Sequence, residues 1–357
     1  MPSTSSSASL PVIDLSPFLV PRPDDREARR ATAQRAHRAI VDFGFFYLTG
    51  IDSLVSLEEM DDVLDVAKQF FDLPDEDKRA YAIKPGDGAR GWQKIGQNVT
   101  QSKADHHEGF DLYRPARHED PTKLLHGPNP WPANPRSFRP KLESWIDKMQ
   151  TIGLALMEAT AIGLGVAIDE KDGHDVAGEW DRVKGLVEES FWVTRVIGYP
   201  PLPRDAEGIS CGAHKDYGNF TLLHTDATKG ALQVFVHEPE TGSVVLETGE
   251  RGHWLTADPK RGMFVCNIGE MWEILSAGLY KSTLHRVIHQ APTYRISLPF
   301  FYEPAFDAVI EPLPTALRLR AANEDLAKSP IPDSVIYGEF LTAKVSNNFA
   351  PPSQEQS

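Results

Sequence analysis

From residue 191 to residue 302 the chain is broken into short runs rich in β-branched and aromatic residues, each too brief for a helix. Residues 191–197, 220–223, 232–236, 263–268, 285–288 and 295–302 read as strands, with turn residues such as Gly242 and Gly249 between them. Few helical patterns intervene. A succession of short strands leaves sheet edges that must be closed or covered, and a double-sheet jelly roll does this better than a parallel α/β arrangement. The expected fold is therefore an all-β core with flanking helices, a double-stranded β-helix.

The flanking helices are legible from their period. Residues 26–41, 57–71 and 138–165 place apolar side chains on one face, and in the last of these Trp145, Ile152, Leu156 and Ala159 form the inner stripe that would support a sheet. A shorter helix is expected over 179–186, a charged helical turn over 75–80, and a helix over 313–327. Residues 10–15, 42–48 and 106–113 read as further strands, and the seven prolines between Pro115 and Pro140 mark a rigid surface connection. The organisation that follows is a flexible tail over 1–9, a mixed helix and strand region over 10–185 packed on the core, the core over 186–305, and a helical segment and tail over 306–357.

Composition bounds the partners. Lys and Arg number 37 against 51 Asp and Glu, a net charge of −14, which argues against nucleic acid or an anionic membrane surface as a partner. The first residues carry neither a basic nor an apolar signal region, and no run of 18 apolar residues exists. Cys211 and Cys266 have no close pairing partner and are expected as free thiols in a reducing, cytoplasmic setting.

Within the strand-rich stretch, Gly212-Ala213-His214-Lys215-Asp216-Tyr217-Gly218 puts an imidazole and a carboxylate two residues apart, on one face of an extended chain. With His285 they make two histidines and one carboxylate, the facial set that leaves open positions on Fe(II) in non-haem oxygenases. Arg295 and Ser297, again two apart, would grip the far carboxylate of a diacid. A second pair, His224 and Asp226, has the same spacing and serves as an internal control. The first pair is read as the site through the company of His285, Arg295 and Ser297.

These motifs resemble the iron(II)- and 2-oxoglutarate-dependent oxygenases of the isopenicillin N synthase-like class. The likeness runs from Pro11-Val12-Ile13-Asp14, through Asp42-Phe43-Gly44-Phe45-Phe46, to Tyr337-Gly338-Glu339, nearly the whole chain. The family's H-x-D falls on His214 and Asp216, its distal histidine on His285 and its R-x-S on Arg295 and Ser297. Leu222-Leu223-His224-Thr225-Asp226 falls on a structural motif, which favours the first pair over the control. Two departures are structural: Ile51 follows Gly50 where the family often has histidine, and Ala231 stands where it often has glycine, although Gly230 is adjacent.

The resemblance implies a catalytic core that binds Fe(II) through His214, Asp216 and His285, with 2-oxoglutarate and O2 as co-substrates. Arg295, Ser297 and Tyr199 would contact 2-oxoglutarate, and succinate and CO2 would leave. The substrate would be a small specialised metabolite or amino-acid-like compound undergoing hydroxylation, desaturation or oxidative cyclisation, in a monomer, with a homo-oligomer left open. Three other readings stay open at this point: an isopenicillin N synthase-like oxidase that does not consume 2-oxoglutarate, an ethylene-forming-like enzyme, and a non-catalytic binding protein. Asn267 and Tyr217 are candidates for orienting ligands; Trp272, Glu273, Phe110, Phe191 and Phe349 for lining the cavity; Glu108 and Asp111 for selecting an amine. Residues 86–102 and the C-terminal segment would close its walls.

Overall fold

A computed structural model describes residues 9–345 except 21, 23–24, 85–88, 101–102, 117–119, 121–124, 169–177, 203–209 and 239–240. Its centre is two facing sheets. The larger has eight strands in the order Val12–Asp14, Phe45–Thr49, Phe264–Ile268, Phe220–Thr225, Arg295–Tyr302, Val193–Tyr199, Glu108–Tyr113 and Gly91–Gln93. The smaller has five, in the order Val244–Val245, Arg251–Thr256, Leu232–His237, His285–Val287 and Cys211–His214. All neighbours run antiparallel except Val12–Asp14 beside Phe45–Thr49. This is the double-stranded β-helix with flanking helices.

The period-2 alternation of the strands divides the core in two. Phe46 and Leu48, with Phe264, Cys266, Ile268, Ile296, Leu298 and Phe300, face the helices. Phe45 and Tyr47, with Ile197, Tyr199, Leu232, Val234, Val265 and Val287, fill the space between the sheets. Behind the larger sheet lies the helix Phe138–Leu164, with Arg26–Phe43 and Leu57–Phe71 packed against it. Its Trp145, Ile152, Leu156 and Ala159 are all buried, as the stripe predicts. Each large apolar side chain there contributes about 1.5–3 kcal/mol through burial.

Local sequence explains most boundaries. Ser56 and Glu59 form a reciprocal capping box, so Leu57–Phe71 begins where the period says. The expected strand at 42–48 starts later, at Phe45, because the preceding helix continues through Phe43 and ends on Gly44 in the left-handed region at φ 65°. A Cβ on Gly44 would also lie 2.2 Å from the Thr283 hydroxyl oxygen, so the site admits only glycine without a shift. The expected helix over 313–327 is two helices, Pro314–Ala321 and Glu324–Ala327, because Asn323 breaks the first and caps the second. Strands Gly91–Gln93, Cys211–His214 and Arg251–Thr256 were not expected. Among the described residues both cysteines are free and no helix is long and apolar enough to cross a membrane.

Candidate active site

Two elements and one loop build the metal-competent cluster. His214 ends its strand and stands opposite His285 in the antiparallel neighbour. Asp216 is not on that strand, contrary to the extended chain expected there; it sits in the turn just past it, and reaches the same point from the side. Its Oδ1 lies 3.7 Å from His214 Nε2 and 3.6 Å from His285 Nε2. One ligand-capable atom from each residue falls within 4.8 Å of the others.

The surroundings leave these atoms free for a cation. Each histidine is turned by a hydrogen bond from Nδ1–H to a backbone carbonyl, His214 to Gly212 at 2.8 Å and His285 to Thr283 at 3.1 Å. That tautomer directs both Nε2 lone pairs inward. The other Asp216 oxygen, Oδ2, accepts from Asn267 Nδ2 at 2.6 Å and from the Thr221 hydroxyl, which leaves Oδ1 with the histidines. Burial raises the Asp216 carboxyl, but His285, His214, Asn267 and Thr221 together outweigh it and hold the pKa below its usual value. His285 is pushed down to about 4, first by burial and then by His214, so it is neutral as a ligand must be. Burial also works against charge on His214, but Cys211 and Asp216 raise it to about 10.

Arg295 and Ser297 are buried on the inter-sheet face of their strand, away from Ile296 and Leu298. Arg295 pairs in register with Tyr199, whose ring lies under its guanidinium at 4.9 Å. Two guanidinium nitrogens, Nε and Nη1, have no acceptor among the described residues. A buried cation with two idle donors fits an anionic ligand that completes it.

The control pair is bound up in architecture. His224 Nε2 meets the Met60 carbonyl at 2.9 Å, and its ring packs on Trp145 and Phe264. Asp226 accepts from the Ile296 and Thr228 amides. Neither has a side chain turned to a shared metal point.

A cavity of about 430 Å³ opens beside His214 and Asp216, and its other lining residues include Asp111, Arg195, Glu303 and Lys344. Gln93, Asn98 and Thr100 form part of one wall, and Leu341, Lys344 and Val345 part of another. Tyr217 also lines it. Several lining candidates lie elsewhere: Phe110 packs on Phe70 and Phe138, Trp272 on Phe220 and Tyr280, and Phe191 on Tyr113 and Phe306. Large aromatics are core-forming by default, and here the apolar core claims them. Glu273 does not reach the cavity but pairs with Lys281, and Phe349 lies outside the described residues. Glu108 cannot receive an amine because Lys78, Trp92 and Tyr294 already donate to it. Asp111 is buried on Arg195 Nε at 2.8 Å. Sequence reading missed Arg195 and Glu303, which carry no motif; only the strand pairing and the tertiary path bring them to the cavity.

Residues 10–134 match the family described as non-haem dioxygenase in morphine synthesis N-terminal, and residues 188–304 match the 2OG-Fe(II) oxygenase superfamily. A homoarginine-6-hydroxylase of Arabidopsis thaliana is 37% identical over 97% of this chain and 91% of its own length. One from Oryza sativa subsp. japonica is 37% identical over 97% and 99%. Among solved structures, a protein of Caulobacter crescentus assigned to the 2OG-Fe(II) oxygenase family superposes with a TM-score of 0.72 at 27% identity, covering 96% of this chain and 99% of its own. A full-length Neurospora crassa protein crystallised with alpha-KG and thymine gives 0.74 at 24% identity, over 96% and 98%, a likeness of fold.

Proposed function

Because the chain belongs to the 2OG-Fe(II) oxygenase superfamily and oxidises a small amino-acid-like or specialised metabolite with Fe(II) and 2-oxoglutarate, we propose that it hydroxylates a cationic amino acid of the homoarginine type. The observation that carries the substrate class is the 37% identity to homoarginine-6-hydroxylases across 97% of the chain. In this reading His214, Asp216 and His285 hold the iron. Arg295 receives the far carboxylate of 2-oxoglutarate through its idle Nε–H and Nη1–H, Ser297 donates to the same carboxylate, and Tyr199 supports the guanidinium and offers its hydroxyl. Bound iron supplies the oxidative decarboxylation of 2-oxoglutarate to succinate and CO2 and the oxidising power directed at a substrate C–H bond.

The protein's own part is placement. Asn267 and Thr221 fix the Asp216 carboxylate, the Gly212 and Thr283 carbonyls fix the imidazoles, and the walls from residues 93–100 and 341–345 keep bulk water from the reacting carbon. The protein acts as a monomer that takes small molecules rather than nucleic acid, in keeping with its net charge of −14. The idle donors of Arg295 favour a diacid co-substrate over an oxidase that consumes none. The test is anaerobic loading with Fe(II) and 2-oxoglutarate, then O2 with L-homoarginine. Succinate and a product heavier by one oxygen are expected in equal amounts. Succinate without oxidised amino acid, or ethylene in the headspace, would overturn the reading.

A further inference from the structure

The cavity beside the metal-competent cluster has four carboxylates in its lining, and three are spoken for. Asp216 belongs to the histidine cluster, Asp111 is held by Arg195 at 2.8 Å, and Glu270 is held by Lys344 at 2.9 Å. Glu303 is the fourth. It is 4% exposed, no cationic side chain among the described residues pairs with it, and its Oε2 has no hydrogen-bond donor. It follows directly from the strand that carries Arg295 and Ser297.

The chain makes room for this carboxylate. A Cβ on Gly218 would lie 1.2 Å from Glu303 Oε2, so the carboxylate occupies the space that the glycine leaves, against the same turn that carries Asp216. A carboxylate buried without a cation beside it costs several kcal/mol, and a chain that retains one either keeps it protonated or completes it with a ligand. Here burial, opposed by Tyr337, reinforced by Asp216 and opposed again by Asn219, raises its pKa to about 8.

Resting on the proposed substrate class, we infer that Glu303 is the subsite for the substrate's cationic group, a guanidinium or ammonium that enters the cavity and pairs with its carboxylate. The guanidinium offers paired donors to a carboxylate and is less strongly hydrated than an ammonium, so it is the better match for a buried acceptor. Cation recognition at Glu303 would fix which end of the substrate reaches deep into the cavity, and so which carbon faces the metal.

Matched ligands test this by equilibrium binding. Protein loaded anaerobically with Fe(II) and 2-oxoglutarate is titrated with L-homoarginine and its neutral isostere L-homocitrulline, and with L-lysine and L-norleucine. In the wild type, homoarginine is expected to bind roughly tenfold to a hundredfold more tightly than homocitrulline, the range for a hydrogen bond to a charged group. Glu303→Gln is expected to erase that gap, Glu303→Asp to retain part of it, and Glu339→Gln, on an exposed position of the neighbouring helix, to leave it intact. No preference for either cation in the wild type, including no binding at all, overturns the inference without need of a variant. So does a preference that survives in a folded Glu303→Gln protein. A cation preference lost in Glu303→Gln supports the inference even if homoarginine is not oxidised, an outcome that would defeat only the choice of homoarginine as substrate.

Discussion

His285 faces His214 directly across two antiparallel strands, with ring centroids 4.3 Å apart and both Nδ1 atoms turned to backbone carbonyls. Strand pairing therefore sets the imidazoles, and only the carboxylate depends on a turn. The Asp216 side chain is held by Asn267 and Thr221. Asn267→Leu should weaken Fe(II) binding by about 10–100-fold, the usual effect of removing a group that orients a ligand. Anaerobic Fe(II) titration of the two folded proteins checks it; equal affinities would remove Asn267 from the site.

Arg295→Lys keeps the charge but cannot reproduce a planar two-donor grip. We expect the KM for 2-oxoglutarate to rise roughly tenfold to a hundredfold, with Fe(II) affinity unchanged. Steady-state kinetics at saturating amino acid measures it. An unchanged KM would show that the idle nitrogens serve something other than the co-substrate.

The His224 and Asp226 pair makes the opposite prediction. His224→Phe removes the bond to the Met60 carbonyl, which keeps its helical partner Leu64 N–H, at a cost of about 0.5–1.5 kcal/mol. Denaturant unfolding should report that loss while the Fe(II) stoichiometry stays as in the wild type. A loss of metal without a loss of stability would transfer the metal site to this pair.

Glu303 should also leave a mark on stability. Its folded pKa of about 8 lies above the ordinary 4.5, so between these values the folded state keeps a proton that the unfolded state releases. Stability contributed by the neutral carboxyl is full below about 4.5 and declines as pH rises to about 8. Asp216, Tyr337 and Asn219 are the groups facing it, and Glu303→Gln leaves them in place. Thermal unfolding of the metal-free proteins should therefore show the wild type losing ground to Glu303→Gln across that window and running parallel to it above. Parallel curves throughout would mean that Glu303 is not buried in solution.

What the sequence made legible follows from how local each signal is. The helix Leu57–Phe71 carries its own start in Ser56 and Glu59 and its own face in Met60, Val63, Ala67 and Phe70. The histidines and Asp216 stood out because metal-ligating types at fixed spacing are chemically unusual, and the sheets do bring them together. The strand Cys211–His214 escaped because Cys211-Gly212-Ala213-His214 has almost no β-forming side chains; its place is dictated by His285–Val287 alongside. Phe110 and Trp272 could not be assigned to core or cavity because an aromatic residue looks the same in both, and only the packing of the apolar core decides. Glu303 was invisible for a related reason: the lack of a cationic neighbour among the described residues is a property of the whole fold.

The order of strands in the larger sheet has a consequence for how the protein is made. Phe46 pairs with Cys266, which leaves the ribosome 220 residues later. At ordinary rates of synthesis that is a wait of roughly 10–40 s. Through that interval the apolar strand Phe45–Thr49 has Val12–Asp14 on one edge and nothing native on the other. An open apolar edge invites pairing with other chains, so the nascent protein is most exposed to aggregation just before residue 264 emerges. Chaperone demand and slow-codon effects should concentrate late in that interval, while the stretch between Asp216 and His285 is being made.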